Sequence, residues 1–139
     1  MSTRATASVE HTSWQETPIE GSGSGEASDS PKLSRAVVTK VFKGDFEGTS
    51  RSELFMCGRS DGTGGYAAQE RIEGVVEGRS GSFVLHHGAT RSGGGETRFG
   101  YIVPGSGTGG LRGLIGQATY HQDEHGASLT LEFDLDGVV

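Results

Sequence analysis

The sequence lacks most of what would hold a small fold together from outside. It has one cysteine, Cys57, in 139 residues. No intrachain disulfide can form, so a packed core must supply the stability. The lone thiol reads as a small, half-buried filler on a strand rather than a nucleophile. Hydrophobic residues are only 32% of the chain, and no apolar run approaches the length of a membrane-crossing helix. The N-terminus carries no apolar stretch of the secretory kind. The expectation is a cytoplasmic protein with no membrane partner. Basic blocks are also missing. Lys and Arg number 12 against 18 Asp and Glu, for a net charge of −6, and this excludes the clustered basic face that a nucleic-acid backbone requires. Arg71, Arg79, Arg91, Arg98 and Arg112 are scattered and read as solvated strand and turn positions. Helix signals are nearly absent, because no window spaces apolar residues at i, i+3, i+4 and i+7 without several glycines inside it.

Glycine is what the sequence has in quantity, 25 residues against three prolines. Scattered between apolar runs, such glycines point to tight turns and bulges. Strand signals recur at the spacing of sandwiches and barrels. They cover Ala5 to Gln15, Leu33 to Lys43, Phe46 to Arg59, Tyr66 to Val76, Gly81 to Ala89, Glu96 to Val103, Leu111 to His121 and Ala127 to Leu135. Gly21 to Ser30 is low in complexity and reads as a flexible Gly/Ser loop within a single domain spanning 1–139. Short connections without crossover helices require antiparallel pairing. Consecutive hairpins give an up-and-down order, and closure removes the edges of a Gly-rich sheet. The fold class is therefore all-β, a single closed antiparallel barrel of about eight strands with essentially no helix.

Alternation assigns faces. Leu129, Leu131, Phe133 and Leu135 share one face of the last strand. Tyr66, Ala68, Glu70, Ile72 and Gly74 form the more apolar face of the fourth, and Phe83, Leu85 and His87 that of the fifth. A two-residue loop at Gly78-Arg79 pairs Glu77 with Ser80 and sets Glu70 opposite His87; a three-residue loop would shift every partner by one. Glu70 and His87 are thus expected as inward-facing neighbours. Ionisable groups inside a barrel must pair. The pair is either a hydrogen bond that satisfies two buried groups or the acid/base element of a catalytic site. Trp14, Tyr66, Phe83, Leu85, Phe99, Tyr101 and Tyr120 are the candidate lining of a ligand cavity, set against ordinary core filling.

Other motifs carry less. Gly105-Ser-Gly-Thr-Gly-Gly110 fits a dinucleotide-binding glycine pattern. The residues after it hold too many glycines for the helix that pattern needs, so it reads as a bulged connection at the barrel rim. His86 and His87 are consecutive and point to opposite faces of a strand. His121, Asp123 and His125 sit in a turn. No metal or other cofactor is implied.

Several ordered motifs resemble one bacterial family. They are Ser13-Trp14-Gln15-Glu16, Leu33-Ser34-Arg35-Ala36, Gly44-Asp45-Phe46-Glu47-Gly48, Glu70-Arg71-Ile72-Glu73-Gly74, the run from Gly78 to Gly88, and Val103-Pro104-Gly105 through Leu114. The chain resembles the family known as domain of unknown function 3224, within the allene oxide cyclase-like barrel superfamily. That resemblance implies an eight-stranded barrel. By analogy of fold it suggests a cofactor-independent cyclase or isomerase that holds a hydrophobic, polyene- or polyketide-like molecule. Glu70 and His87 would polarise such a substrate, and the aromatics would shape its pocket. The alternatives are a non-catalytic carrier of a small hydrophobic ligand and a structural module with a filled barrel. The sequence admits a homo-oligomer without specifying one.

Overall fold

The computed structural model describes residues 2–20 and 30–135. Its strands are β1 (Thr3–Pro18), β2 (Lys32–Gly44), β3 (Phe46–Gly58), β4 (Gly64–Val76), β5 (Arg79–Ser92), β6 (Gly95–Ile102), β7 (Ile115–Asp123) and β8 (Gly126–Asp134). They form one closed barrel in chain order, every neighbouring pair antiparallel and β8 hydrogen-bonded back to β1. The expected architecture is the observed one. The Gly21–Ser30 loop lies outside the described residues apart from Ser30. Among the described residues, no helix is long and apolar enough to cross a membrane.

The β4–β5 hairpin corrects the expected register. Its turn is Glu77-Gly78, with φ of 53° and 72°. Two positive values suit the turn whose twist matches that of the flanking strands, and only glycine or a tolerant residue enters it cheaply. Val76 therefore pairs with Arg79, Ile72 with Phe83, Glu70 with Leu85 and Ala68 with His87. The partners slip by two residues from the expected set. A slip of two leaves every side chain on its original face, so Glu70 and His87 both still point inward, as diagonal rather than direct neighbours.

The two ends of the barrel differ. At the end holding the Gly44-Asp45 and Glu77-Gly78 turns, the interior is solid. Phe42, Phe46, Phe83, Phe133, Ile72, Leu85, Ile102, Leu129 and Leu131 are buried in one cluster. The segment from Val103 to Leu114 folds across this end and buries Leu111 and Leu114 completely. It is pinned along β5, where the Thr108 N–H donates to the Ser82 carbonyl at 2.8 Å and the Val84 N–H donates to Ser106 Oγ at 3.0 Å. A β-carbon on Gly81 would stand 2.0 Å from the Thr108 carbonyl oxygen, so only glycine lets the segment approach. The sequence expectation of a strand from Leu111 fails here: Gly109–Leu111 is a 3-10 turn, Gly113 has φ 84°, and β7 begins at Ile115. Cys57 is also corrected. It occupies an outward position on β3 and is exposed, not half-buried.

A buried Lys-Glu-His-Tyr cluster at the floor of an open chamber

Alternation carries polar side chains into the middle of the barrel. The inward series of β2 is Ser34, Ala36, Val38, Lys40 and Phe42, all buried. That of β3 includes Ser50, Ser52 and Leu54; β4 contributes Ala68, Glu70 and Ile72, and β5 Leu85 and His87. β1 carries a bulge between His11 and Ser13. The extra residue lets His11 face Lys40 and Trp14 face Val38 although three positions separate them.

Glu70 is the hub, with no exposed surface. Its Oε1 accepts from Tyr120 Oη at 2.6 Å and from His87 Nε2 at 3.0 Å. Its Oε2 accepts from Ser50 Oγ. Lys40 Nζ straddles the carboxylate, 3.3 Å from Oε1 and 3.2 Å from Oε2. Burial on its own would push this carboxyl up. The His87 hydrogen bond, the Lys40 charge and the Ser50 and Tyr120 hydroxyls outweigh burial and hold it down at about 2. A carboxylate with this many donors has little basicity left. Its work is to fix Lys40, His87 and Tyr120.

Those three groups face the other way. Lys40 Nζ also donates to Tyr120 Oη at 3.1 Å and lies 4.4 Å from the centre of its ring. His87 Nδ1 is 3.1 Å from Tyr66 Oη. With Nε2–H given to Glu70, a neutral His87 has Nδ1 free to accept the Tyr66 proton, so Tyr66, His87 and Glu70 stand in series. Burial and the nearby Glu70 charge push the Tyr120 hydroxyl well up. Burial, with a smaller contribution from Glu70, also raises Tyr66. Both remain donors at neutral pH. Among the described residues, no buried side-chain nitrogen or oxygen lacks a partner.

Above the cluster the barrel is open. A chamber of about 190 Å³ has Lys40, His87, Tyr66 and Tyr120 at its floor and walls of Val38, Leu54, Trp14 and Ala127. His11, Arg98 and His121 stand toward its mouth. Burial and the Lys40 charge lower the His11 imidazole, favouring its neutral form. Arg98 donates to the Tyr120 carbonyl at 2.9 Å. It thus ties β6 to β7 beyond their only two paired positions, Tyr101↔Gln117 and Ile102↔Gly116. A larger groove of about 570 Å³ lies outside β2–β5, among Arg51, Glu53, Arg71 and Glu73. Its lining mixes these surface charges with threonines, Val41 and Val84. No three His, Cys, Asp or Glu side chains among the described residues group as a metal site.

The structure sorts the sequence candidates. His87, Tyr66, Tyr120 and Trp14 line the chamber, with Glu70 buried beneath them. Phe83 and Leu85 face inward but belong to the solid end, in the main core cluster. Phe99 and Tyr101 are on the outer face, 51% and 43% exposed. The inward residues of β6 are Gly100 and Ile102, because these pair with His87 and Leu85. Phe99 instead covers Gly88 from outside, where a β-carbon would come within 2.7 Å of its ring. Sequence reasoning missed Lys40, Ser50, His11 and Arg98. For Lys40 and Ser50 the signal was available: each is a polar residue at an inward parity among Val38, Phe42, Ser52 and Leu54. His11 required the bulge, which alternation does not show.

The solved structures contain the same architecture. A crystal structure of a protein of unknown function from the DUF3224 family of Shewanella oneidensis MR-1 is 27% identical, with a TM-score of 0.82 over 96% of this chain and 98% of that one. The family described as "Protein of unknown function (DUF3224)" matches residues 5–135. The chain belongs to that family. A search of curated proteins gives no match. The DUF3224 barrel seen here thus brings a fold, and the chamber itself has to supply the chemistry.

Proposed function

We propose that this DUF3224 protein binds a small, partly apolar molecule in the open half of its barrel, with the Lys40–Glu70–His87–Tyr120 cluster as the polar anchor at the floor. One observation carries the reading: a barrel whose lower half is packed solid leaves a chamber of about 190 Å³ over that cluster. Small barrels either fill their interior or hold one small ligand, and this one divides the two tasks between its halves. Apolar walls with a few fixed polar groups are the usual composition of a ligand site. The volume suits a compact molecule or the end of a longer one.

Trp14 is the only tryptophan in the chain and lines this chamber, so its fluorescence reports on occupancy. Mass spectrometry of gently purified protein should find a retained small molecule, and its displacement should shift Trp14 emission. Leu54→Phe, which narrows the chamber without adding a second indole, should weaken both signals while preserving the far-UV spectrum. An emission spectrum indifferent to every added small molecule, together with a ligand-free mass, would defeat the proposal.

A second reading is favoured by the Tyr66–His87–Glu70 series. A phenol backed by an imidazole that a carboxylate orients is an arrangement for proton transfer. It fits the cofactor-independent cyclase or isomerase chemistry suggested by resemblance to allene oxide cyclase-like barrels. In that reading Glu70 positions and His87 or Tyr66 touches substrate. Tyr66→Phe should then remove turnover of a bound molecule and leave its affinity within about threefold.

A further inference from the structure

Resting on the small-molecule reading above, we infer that the ligand is an anion with an apolar body: a small organic carboxylate whose charged end sits among Lys40, His11 and Arg98. The charge inventory leads there. The chain as a whole is acidic, at −6, yet no Asp or Glu lines this chamber, whereas Lys40, Arg98, His11, His87 and His121 do. The one carboxylate beneath them, Glu70, accepts from four different side chains and has no exposed surface. It cancels Lys40 and offers a ligand nothing. Outside the chamber, Glu96 divides its one negative charge between Arg91 and Arg98, so Arg98 is only partly neutralised. Lys40 has an N–H beyond those given to Glu70 and Tyr120, and a carboxylate accepts.

The walls decide between kinds of anion. Val38, Leu54, Ala127 and the Trp14 indole are carbon surfaces, and they occupy the space a phosphate would need for several further donors. A polar floor beneath walls of carbon fits a carboxylate attached to an aryl or short alkyl group. His11 points the same way. Burial and the Lys40 charge lower its imidazole, and an arriving negative charge relieves the second effect.

The test is a titration of the purified full chain followed by Trp14 fluorescence and by calorimetry. Benzoate and hexanoate are compared with benzamide, hexanol, benzylamine and inorganic phosphate. The carboxylates should bind at least tenfold more tightly than the neutral compounds, and phosphate should neither bind nor compete. Arg98→Gln should bring carboxylate and neutral affinities to within about threefold, and Arg98→Lys should restore part of the difference. Equal binding of benzoate and benzamide, or tighter binding of benzylamine, overturns the anion assignment and leaves the small-molecule reading in place. Phosphate binding as tightly as benzoate overturns the requirement for an apolar body. If no compound in the panel moves Trp14 and the mass spectrum shows no retained molecule, both readings fall.

Discussion

Replacing Glu70 with Gln tests the central claim about the barrel interior, that its floor is organised by one buried anion. The folded-state carboxyl sits at about 2, against an ordinary glutamate value of 4.5. Each pH unit of such a difference is worth roughly 1.4 kcal/mol, so Glu70 contributes about 3 kcal/mol of pH-dependent stability. The folded value lies below the unfolded one. The contribution is therefore complete above pH 4.5, falls as the pH drops toward 2, and vanishes where both states are protonated. Gln cannot titrate, so Glu70→Gln loses this dependence. Urea unfolding followed by far-UV circular dichroism, at half-unit steps from pH 6 to pH 2, measures it. Wild type should exceed the variant by about 3 kcal/mol at pH 6, a difference that already contains the loss of Lys40's counter-ion, and the gap should narrow by most of that 3 kcal/mol by pH 2. Glu16, Asp61 and Glu96 are also lowered by local hydrogen bonds. They are common to both proteins and cancel in the difference. Stability curves that run parallel across this window would refute the assignment of Glu70 as a pinned anion.

Three further outcomes are expected. Lys40→Met and Glu70→Gln should each destabilise by about 3 kcal/mol or more, and the double variant by about 1–3 kcal/mol less than their sum, because each single change strands one buried partner; a denaturation cycle measures the coupling. Gly81→Ala should lift the Val103–Leu114 segment from the solid end, since its β-carbon meets the Thr108 carbonyl at 2.0 Å; faster amide exchange around Leu111 and Leu114 with an intact chamber is the signature. Cys57 should react with a thiol reagent in the native protein, because it is exposed; protection of the thiol until denaturation would contradict its placement.

Much of the fold was legible because a barrel needs only period-two alternation and punctuation, and this chain supplies both. The series Leu129, Leu131 and Phe133 is completely or nearly completely buried, as read. Turn chemistry was less legible. Glu77-Gly78 and Gly78-Arg79 are both reasonable two-residue loops by composition, and only backbone dihedrals separate them: Glu77 accepts φ of 53°. On β6, bulk does not mark the inward face, so Phe99 and Tyr101 are not cavity lining. There the inward positions belong to Gly100 and Ile102 and the large rings are outside.

The Glu70–His87 contact survived an incorrect register for a physical reason. The strand period is two, so a register error of two changes which residues are opposite and not which are inside. Contacts among long side chains within one barrel layer tolerate that error, since diagonal neighbours remain in reach. Parity is thus the more reliable quantity to carry from sequence to site, and applied to every strand it would have found the rest. Polar residues at inward parity on β2 and β3 are Ser34, Lys40, Ser50 and Ser52, all at most 6% exposed. Against the wholly apolar inward series of β8, the inward polar positions of β2 and β3 stand out, and Lys40 and Ser50 converge on Glu70. A barrel built only for stability would place aliphatic residues there, because replacing a buried ion pair by packed apolar groups is often neutral or stabilising. The polar layer at the boundary between a solid half and an open one is therefore the part of this interior that folding alone does not explain.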